Sequence, residues 1–219
     1  MPRDFIVFDA YGTLFDVHSA AARSAASLGQ RWERLSEIWR TKQLEYTWVR
    51  AACGHRQSFW YITEASLDFA AAATGGITAS ERAALLDAYR TLDAYPEAAA
   101  TLQALKTRGA TLAILSNGDP AMLDEAVASA GLGGLFNAVL SVEAAATFKP
   151  MASVYRLVTD HYGVAPAAVA FVSSNRWDIA GGKSFGFFCN WVNRAGRPDE
   201  YADLPPDRVI ASLTDLIAD

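Results

Sequence analysis

Phe5-Ile6-Val7-Phe8 is a short, uninterrupted run of apolar β-branched and aromatic side chains that ends at Asp9-Ala10-Tyr11-Gly12-Thr13. A strand buried on both faces and followed by a turn has this signature. Comparable runs recur at 111–115, 138–140, 169–172 and 187–192, each followed by polar or small residues. Between them the helical segments carry their own punctuation. Pro96 opens one that Gly109 closes, and Asp119-Pro120 opens another that Gly131 closes. A third, 155–162, has Val154, Leu157, Val158 and His161 at helical spacing and Gly163 after it. Proline belongs at the start of a helix and glycine just past its end. Strands alternating with helices predict an α/β fold, a doubly wound parallel sheet.

The stretch 16–97 breaks the alternation, because it holds no strand pattern. Trp32, Leu35, Ile38, Trp39, Tyr46 and Val49 recur at roughly helical spacing, 59–69 is a second apolar segment, and Thr78-x-x-Glu81 has the form of a capping box ahead of Leu85, Leu86, Tyr89 and Leu92. The chain is therefore expected to divide into a Rossmann-like catalytic core, 1–15 and 98–219, and an inserted all-helical cap, 16–97. Leu44 and Trp48 fall outside a single apolar stripe on the long cap helix, so a second subunit is expected to cover that side and make a homodimer.

Composition narrows the function. The 219 residues are 52% hydrophobic and 20% charged, enough apolar material for a core with a smaller lid. With 19 Lys and Arg against 24 Asp and Glu the net charge is −5, so neither nucleic acid nor an anionic membrane is an expected partner. Cys53 and Cys189 form no C-x-x-C motif and read as small core residues. No apolar run approaches the roughly 18 residues of a membrane span, and the first is too short for a secretion signal. A cytoplasmic location is expected.

In open parallel sheets ligands bind outside the carboxyl ends of the strands. The residues at those ends are Asp9, Tyr11 and Thr13, then Ser116 and Asn117, then Lys149-Pro150, then Ser173, Ser174, Asn175 and Asp178. Singly, each has an ordinary explanation: Asp9 as a turn residue, Ser116-Asn117-Gly118 as a turn, Lys149 as a solvated loop lysine, Asp178 as a partner of a helix dipole. Together they bring two carboxylates, an ammonium and several hydroxyls and amides to one edge of the sheet.

Asp9-Ala10-Tyr11-Gly12-Thr13-Leu14-Phe15-Asp16, Ser116-Asn117-Gly118, Lys149-Pro150 and Ser173-Ser174-Asn175-x-Trp177-Asp178 stand in the order of the four motifs of the haloacid dehalogenase (HAD) superfamily, which the chain resembles along its length. Trp39-Arg40-x-Lys42-Gln43-Leu44-Glu45-Tyr46-Thr47-Trp48 and Trp191-Val192-Asn193-Arg194 are similar to the L-2-haloacid dehalogenase branch. Charge points the same way. Phosphatases of the superfamily carry D-x-D in the first motif and an acidic cluster in the fourth, which holds Mg²⁺. Here the second position is Tyr11, and Asp178 is the only carboxylate of the fourth motif. One or two isolated carboxylates facing a lysine make a poor cage for a hard cation, so no metal and no cofactor are expected.

The resemblance implies a nucleophilic Asp9 that attacks C2 of a short L-2-haloacid and displaces halide. Water then hydrolyses the ester at the Asp9 carbonyl carbon, giving a D-2-hydroxy acid. Lys149 and Asp178 would form a charge pair beside Asp9, with Asp178 orienting or deprotonating the water. Thr13, Tyr155, Ser173 and Asn175 would support by hydrogen bonding, and Ser116 and Asn117 with the amides near Ala10 and Tyr11 would hold the substrate carboxylate. Arg40 would bind the halide, and Tyr11, Leu44, Phe59 and Trp177 would wall an apolar pocket. Two positions depart from the branch: Thr41, where a longer polar side chain is frequent, and Arg176, where a small one is common. Arg176 is expected to point outward into solvent. The competing functions are a metal-dependent phosphohydrolase, a hydrolase opening a strained small-ring carboxylate, and a catalytically silent binding protein.

Overall fold

The structure, a computed structural model, describes residues 4–218. Six parallel strands form one sheet in the order β3-β2-β1-β4-β5-β6: β1 (Phe5–Phe8), β2 (Thr111–Ser116), β3 (Ala138–Ser141), β4 (Val169–Ser173), β5 (Phe188–Val192) and β6 (Arg208–Ile210). β1 lies at the centre, with Phe5 in register with both Thr111 and Val169. Its Val7 and Phe8 are buried by helices on both faces, hence the unbroken apolar run. From β1 the chain winds outward through β2 and β3, then returns to β4 on the other flank. The reversal opens a crevice at the carboxyl end of β1.

Between β1 and β2 lie α1 (Ser19–Arg23), α2 (Ala25–Leu28), α3 (Trp32–Cys53), α4 (Phe59–Ala73), α5 (Ala79–Arg90) and α6 (Ala98–Thr107). The two chain crossings into and out of the helical insertion run side by side, with Asp16 N donating to Asp93 O at 2.8 Å and Tyr95 N donating to Leu14 O at 2.9 Å. The capping box at Thr78 and Glu81 forms as the spacing predicts. The buried stripe of α3, Leu35, Trp39, Gln43 and Thr47, is apolar in its first half and polar in its second. After β2 follow α7 (Pro120–Ser129), α8 (Ala152–Tyr162) and α9 (Arg176–Phe185).

The five apolar runs give five of the six strands; β6 carries no such run, because it is a three-residue edge strand with Val209 facing outward. Two readings are corrected. The third helix starts at Ala152 and not at 155, since Met151 supplies its extended N-cap. Cys189 is buried on β5, but Cys53 is exposed at the end of α3. Among the described residues no helix is long and apolar enough to cross a membrane.

Candidate active site

The turn after β1 folds tightly back on itself. Gly12 sits at φ 92°, open to glycine and strained for other residues, and its N–H donates to Phe15 O at 2.7 Å. The carbonyl of buried Ala10 accepts from Thr13, Leu14 and Phe15 at 3.2, 2.9 and 3.0 Å. This reversal brings the Thr13 hydroxyl onto Asp9 Oδ2 at 3.0 Å. From the end of β4, Asn175 Nδ2 donates to the same oxygen at 2.8 Å and Ser173 Oγ at 3.4 Å. The other oxygen, Oδ1, accepts from Lys149 Nζ at 3.0 Å.

Lys149 is completely buried and reaches the site because Asn117 Oδ1 accepts its backbone N–H at 3.0 Å. Its ammonium bridges two carboxylates, donating to Asp178 Oδ2 at 2.8 Å as well. Tyr155 donates to Asp178 Oδ1 at 2.7 Å. Only glycine fits at Gly181, where a Cβ would lie 2.2 Å from the Tyr155 hydroxyl. Burial lifts the Asp178 carboxyl to about 6; Lys149 pulls the other way and the Asp9 charge adds to the rise. Burial alone would lower Lys149, yet Asp178 and Asp9 hold it above its ordinary value, so it stays an ammonium. Burial, and then the Asp178 charge, raise Tyr155 well above a free phenol, keeping it a donor.

Arg40 comes from α3. Its Nη2 donates to Tyr11 O at 3.0 Å and to Asn175 Oδ1 at 3.3 Å, so one amide side chain joins the guanidinium of the insertion to the Asp9 carboxylate. Gln43 Oε1 accepts from Arg40 Nη1 at 2.9 Å, while its amide nitrogen donates to Thr63 Oγ1 and Tyr89 OH.

A cleft of about 1200 Å³ opens above these groups, lined by Gly12, Arg40, Leu44, Asn175, Trp177 and Arg194 among others. Asp9, with 5% of its surface exposed, does not itself line the cleft and is joined to it through Asn175. Tyr11 and Phe59 stand behind the cleft, their rings 5.6 Å apart, with Tyr89 stacked on Tyr11 at 5.7 Å. Ser116 is buried at the end of β2 and accepts from Gly118 N at 3.1 Å. A Cβ at Gly118 would collide with the Tyr11 ring at 2.8 Å, so the motif glycine makes room for that ring.

Arg176 is not solvated. Only 4% exposed, it lines the cleft beside Trp177 and bonds to the segment after β5, where Asp199 and two loop carbonyls receive its charge. Four further residues matter. Ser174 ties the nucleophile loop through Ser174 N to Thr13 Oγ1 at 2.8 Å and Ser174 Oγ to Gly12 O at 2.5 Å. Arg194 donates to Thr13 O at 3.0 Å and pairs with Glu97 at 2.8 Å. Gln43 holds Arg40, and Asp119 Oδ1 and Oδ2 accept from Phe59 N and Trp60 N at 2.9 and 2.8 Å. Gln43 had a sequence signal, being a polar residue on the i, i+4 stripe of α3. Asp119 had none beyond its place before Pro120.

A model of the haloacid dehalogenase-like hydrolase family matches residues 4–186. The chain is 43% identical to (S)-2-haloacid dehalogenase 1 of Pseudomonas sp. (strain CBS-3) over 211 residues, 96% of this chain and 93% of that one. It superposes on a crystal structure of a dehalogenase with TM-score 0.95 at 41% identity, covering 97% of this chain and 94% of that one. It also superposes on the L-2-haloacid dehalogenase of Xanthobacter autotrophicus with chloropropionic acid covalently bound, with TM-score 0.91 at 38% identity and coverage of 98% and 97%. Like these relatives, the chain belongs to the haloacid dehalogenase-like hydrolases, in the L-2-haloacid dehalogenase branch.

Proposed function

We propose that the protein is an (S)-2-haloacid dehalogenase in which Asp9 is the nucleophile. One Asp9 oxygen forms a bond to C2 as the carbon–halogen bond breaks, and the halide leaves with the electron pair from the opposite side. The product is an aspartyl ester inverted at C2. Water adds to the Asp9 carbonyl carbon, Asp178 takes its proton, and cleavage of the ester returns the Asp9 carboxylate and releases the D-2-hydroxy acid. Tyr155 and Lys149 hold Asp178 for that step, and Thr13, Ser173 and Asn175 hold Asp9. Ser116 and Asn117 with the Ala10–Tyr11 backbone receive the substrate carboxylate, Arg40 faces the departing halide, and Tyr11, Leu44, Phe59 and Trp177 exclude water.

The observation that carries this reading is the Asp9 carboxylate, held by donors on both oxygens and joined through Asn175 to a guanidinium from the insertion. Mg²⁺ does not fit. The Lys149 ammonium bridges Asp9 and Asp178 at 3.0 and 2.8 Å, and the remaining carboxylate oxygens accept from Thr13, Asn175 and Tyr155, which leaves a cation repelled by a fixed positive charge and no free carboxylate oxygen. Among the described residues no three His, Cys, Asp or Glu side chains converge. The division into core (1–15, 98–219) and cap (16–97), a cytoplasmic location and a homodimer belong to the same proposal. Of the two residues expected to meet a second subunit, Leu44 lines the cleft and Trp48 packs on Trp177 with ring centroids 5.5 Å apart; Trp48 and Val49 remain exposed on α3, and that apolar surface supports the dimer.

The test is halide release from each enantiomer of 2-chloropropionate, with and without EDTA. Release from the S form alone, unchanged by EDTA, is expected. Mg²⁺-dependent hydrolysis of p-nitrophenyl phosphate without halide release would overturn the reading.

A further inference from the structure

Arg176 follows Asn175 directly, yet it serves a different part of the molecule. Its Nε donates to Asp199 Oδ1 at 2.5 Å, and its Nη2 donates to the carbonyls of Tyr201 and Leu204 at 3.2 and 3.0 Å. These bonds are the ties of a segment, 193–207, that has no strand or helix of its own between β5 and β6. The start of the segment is closed by Asn193, which exchanges two 2.9 Å hydrogen bonds with the Arg197 backbone. Its end is fixed by Asp207, bound to Lys183 Nζ at 2.6 Å and Cys189 N at 2.8 Å. The middle depends on Arg176, and Tyr201 there is held at φ 55°, a conformation that a non-glycine residue keeps only when its surroundings impose it. The first half of the segment lines the cleft. Asn193, Arg194, Ala195, Arg197, Pro198 and Glu200 line the cleft that Arg40, Leu44 and Trp177 line from other sides.

We propose that Arg176 is a specificity-determining positioning residue: by tying Asp199, Tyr201 and Leu204 it holds the adjoining cleft-lining stretch 193–200 as a rigid wall and so limits the chain length of the 2-haloacid accepted. The inference rests on the dehalogenase reading above. Arg176 lines the cleft beside Trp177, but its hydrogen bonds go to Asp199, Tyr201 and Leu204 and not to Asp9, so its loss should spare chemistry on the shortest substrates and relax discrimination against longer ones.

The test compares kcat/KM for (S)-2-bromopropionate and (S)-2-bromohexanoate in the wild type, Arg176→Ala, Arg176→Lys and Asp199→Ala, with hydrogen exchange of the 199–204 amides measured alongside. Asp199→Ala breaks the same tie from a half-exposed side chain and keeps the test valid should Arg176→Ala fail to fold. Faster exchange at 199–204 is expected in both alanine variants. The preference for the short substrate should fall about 10-fold, with kcat on 2-bromopropionate little changed. Arg176→Lys should recover part of the preference, since an ammonium keeps the ion pair but loses the fork that reaches two carbonyls. Unchanged exchange, or faster exchange with an unchanged preference, overturns the inference and leaves the dehalogenase reading standing. A wild type that releases bromide from neither substrate overturns both.

Discussion

The carboxyl of Asp178, fully buried against Lys149, titrates at about 6. As a carboxylate it accepts the proton of the hydrolytic water; once protonated it has no place for that proton. The sign follows. Ester hydrolysis should fall as pH drops through about 6 and level off above it, with Lys149 charged throughout. Rapid-quench measurement of ester decay checks this, and a rate independent of pH from about 5 to 8 would remove Asp178 from the step. Arg40 acts in the first half-reaction. If its guanidinium meets charge growing on the halide, Arg40→Ala should slow ester formation roughly 30- to 1,000-fold and lower kcat more than it raises KM. Near wild-type kcat in a well-folded Arg40→Ala protein would assign halide stabilisation elsewhere. At this scale the sequence was legible only in part. Asp9, Lys149 and Asp178 follow predicted strands and could be gathered at one edge. An arginine on a helix looks solvated until a motif surrounds it. Arg176 was misread for the opposite reason: its partners lie in a segment with no periodic pattern.

α4 starts on two supports from different parts of the chain. Ser58 caps it locally, accepting from Tyr61 N at 3.0 Å, while Asp119, from the loop after β2, accepts the amides of Phe59 and Trp60. A carboxylate on the first turn of a helix meets unpaired amides and the positive end of the dipole. This one also seats Phe59 against Tyr11. Asp119→Ala is expected to lower the unfolding free energy by about 1–2 kcal/mol, and Asp119→Asn by less, since an amide oxygen still accepts one bond. An unchanged urea midpoint in Asp119→Ala would make the contact incidental. The sequence places Asp119 at the start of α7, and nothing in it says that the side chain serves a helix sixty positions earlier. Elements were legible where burial is two-sided, as in β1 and β4, or where punctuation is strong, as at Thr78 and Glu81. They were silent where short: α1, α2 and β6 are too brief to show a period.

Across the whole molecule, the sheet reversal at β1 and the helices between β1 and β2 bring side chains from distant parts of the chain to one carboxylate. The end of β1 supplies Asp9, the loop before α8 Lys149, the first turn of α9 Asp178 and α8 Tyr155, while α3 supplies Arg40 and the Gln43 that orients it. The class of fold was legible from the alternation of runs, because each buried strand must be apolar throughout. The strand order and the cleft were not, since both depend on which helix packs where. Everything in this arrangement bears on one claim, that Asp9 becomes esterified. Single turnover of (S)-2-chloropropionate in oxygen-18 water, with excess enzyme and mass analysis of the Asp9 peptide and of the product, tests it most directly. Label in Asp9 and none in the first-formed hydroxy acid is the expected result. Label directly in the hydroxy acid, with Asp9 unlabelled, would mean that water attacks C2 and would contradict it.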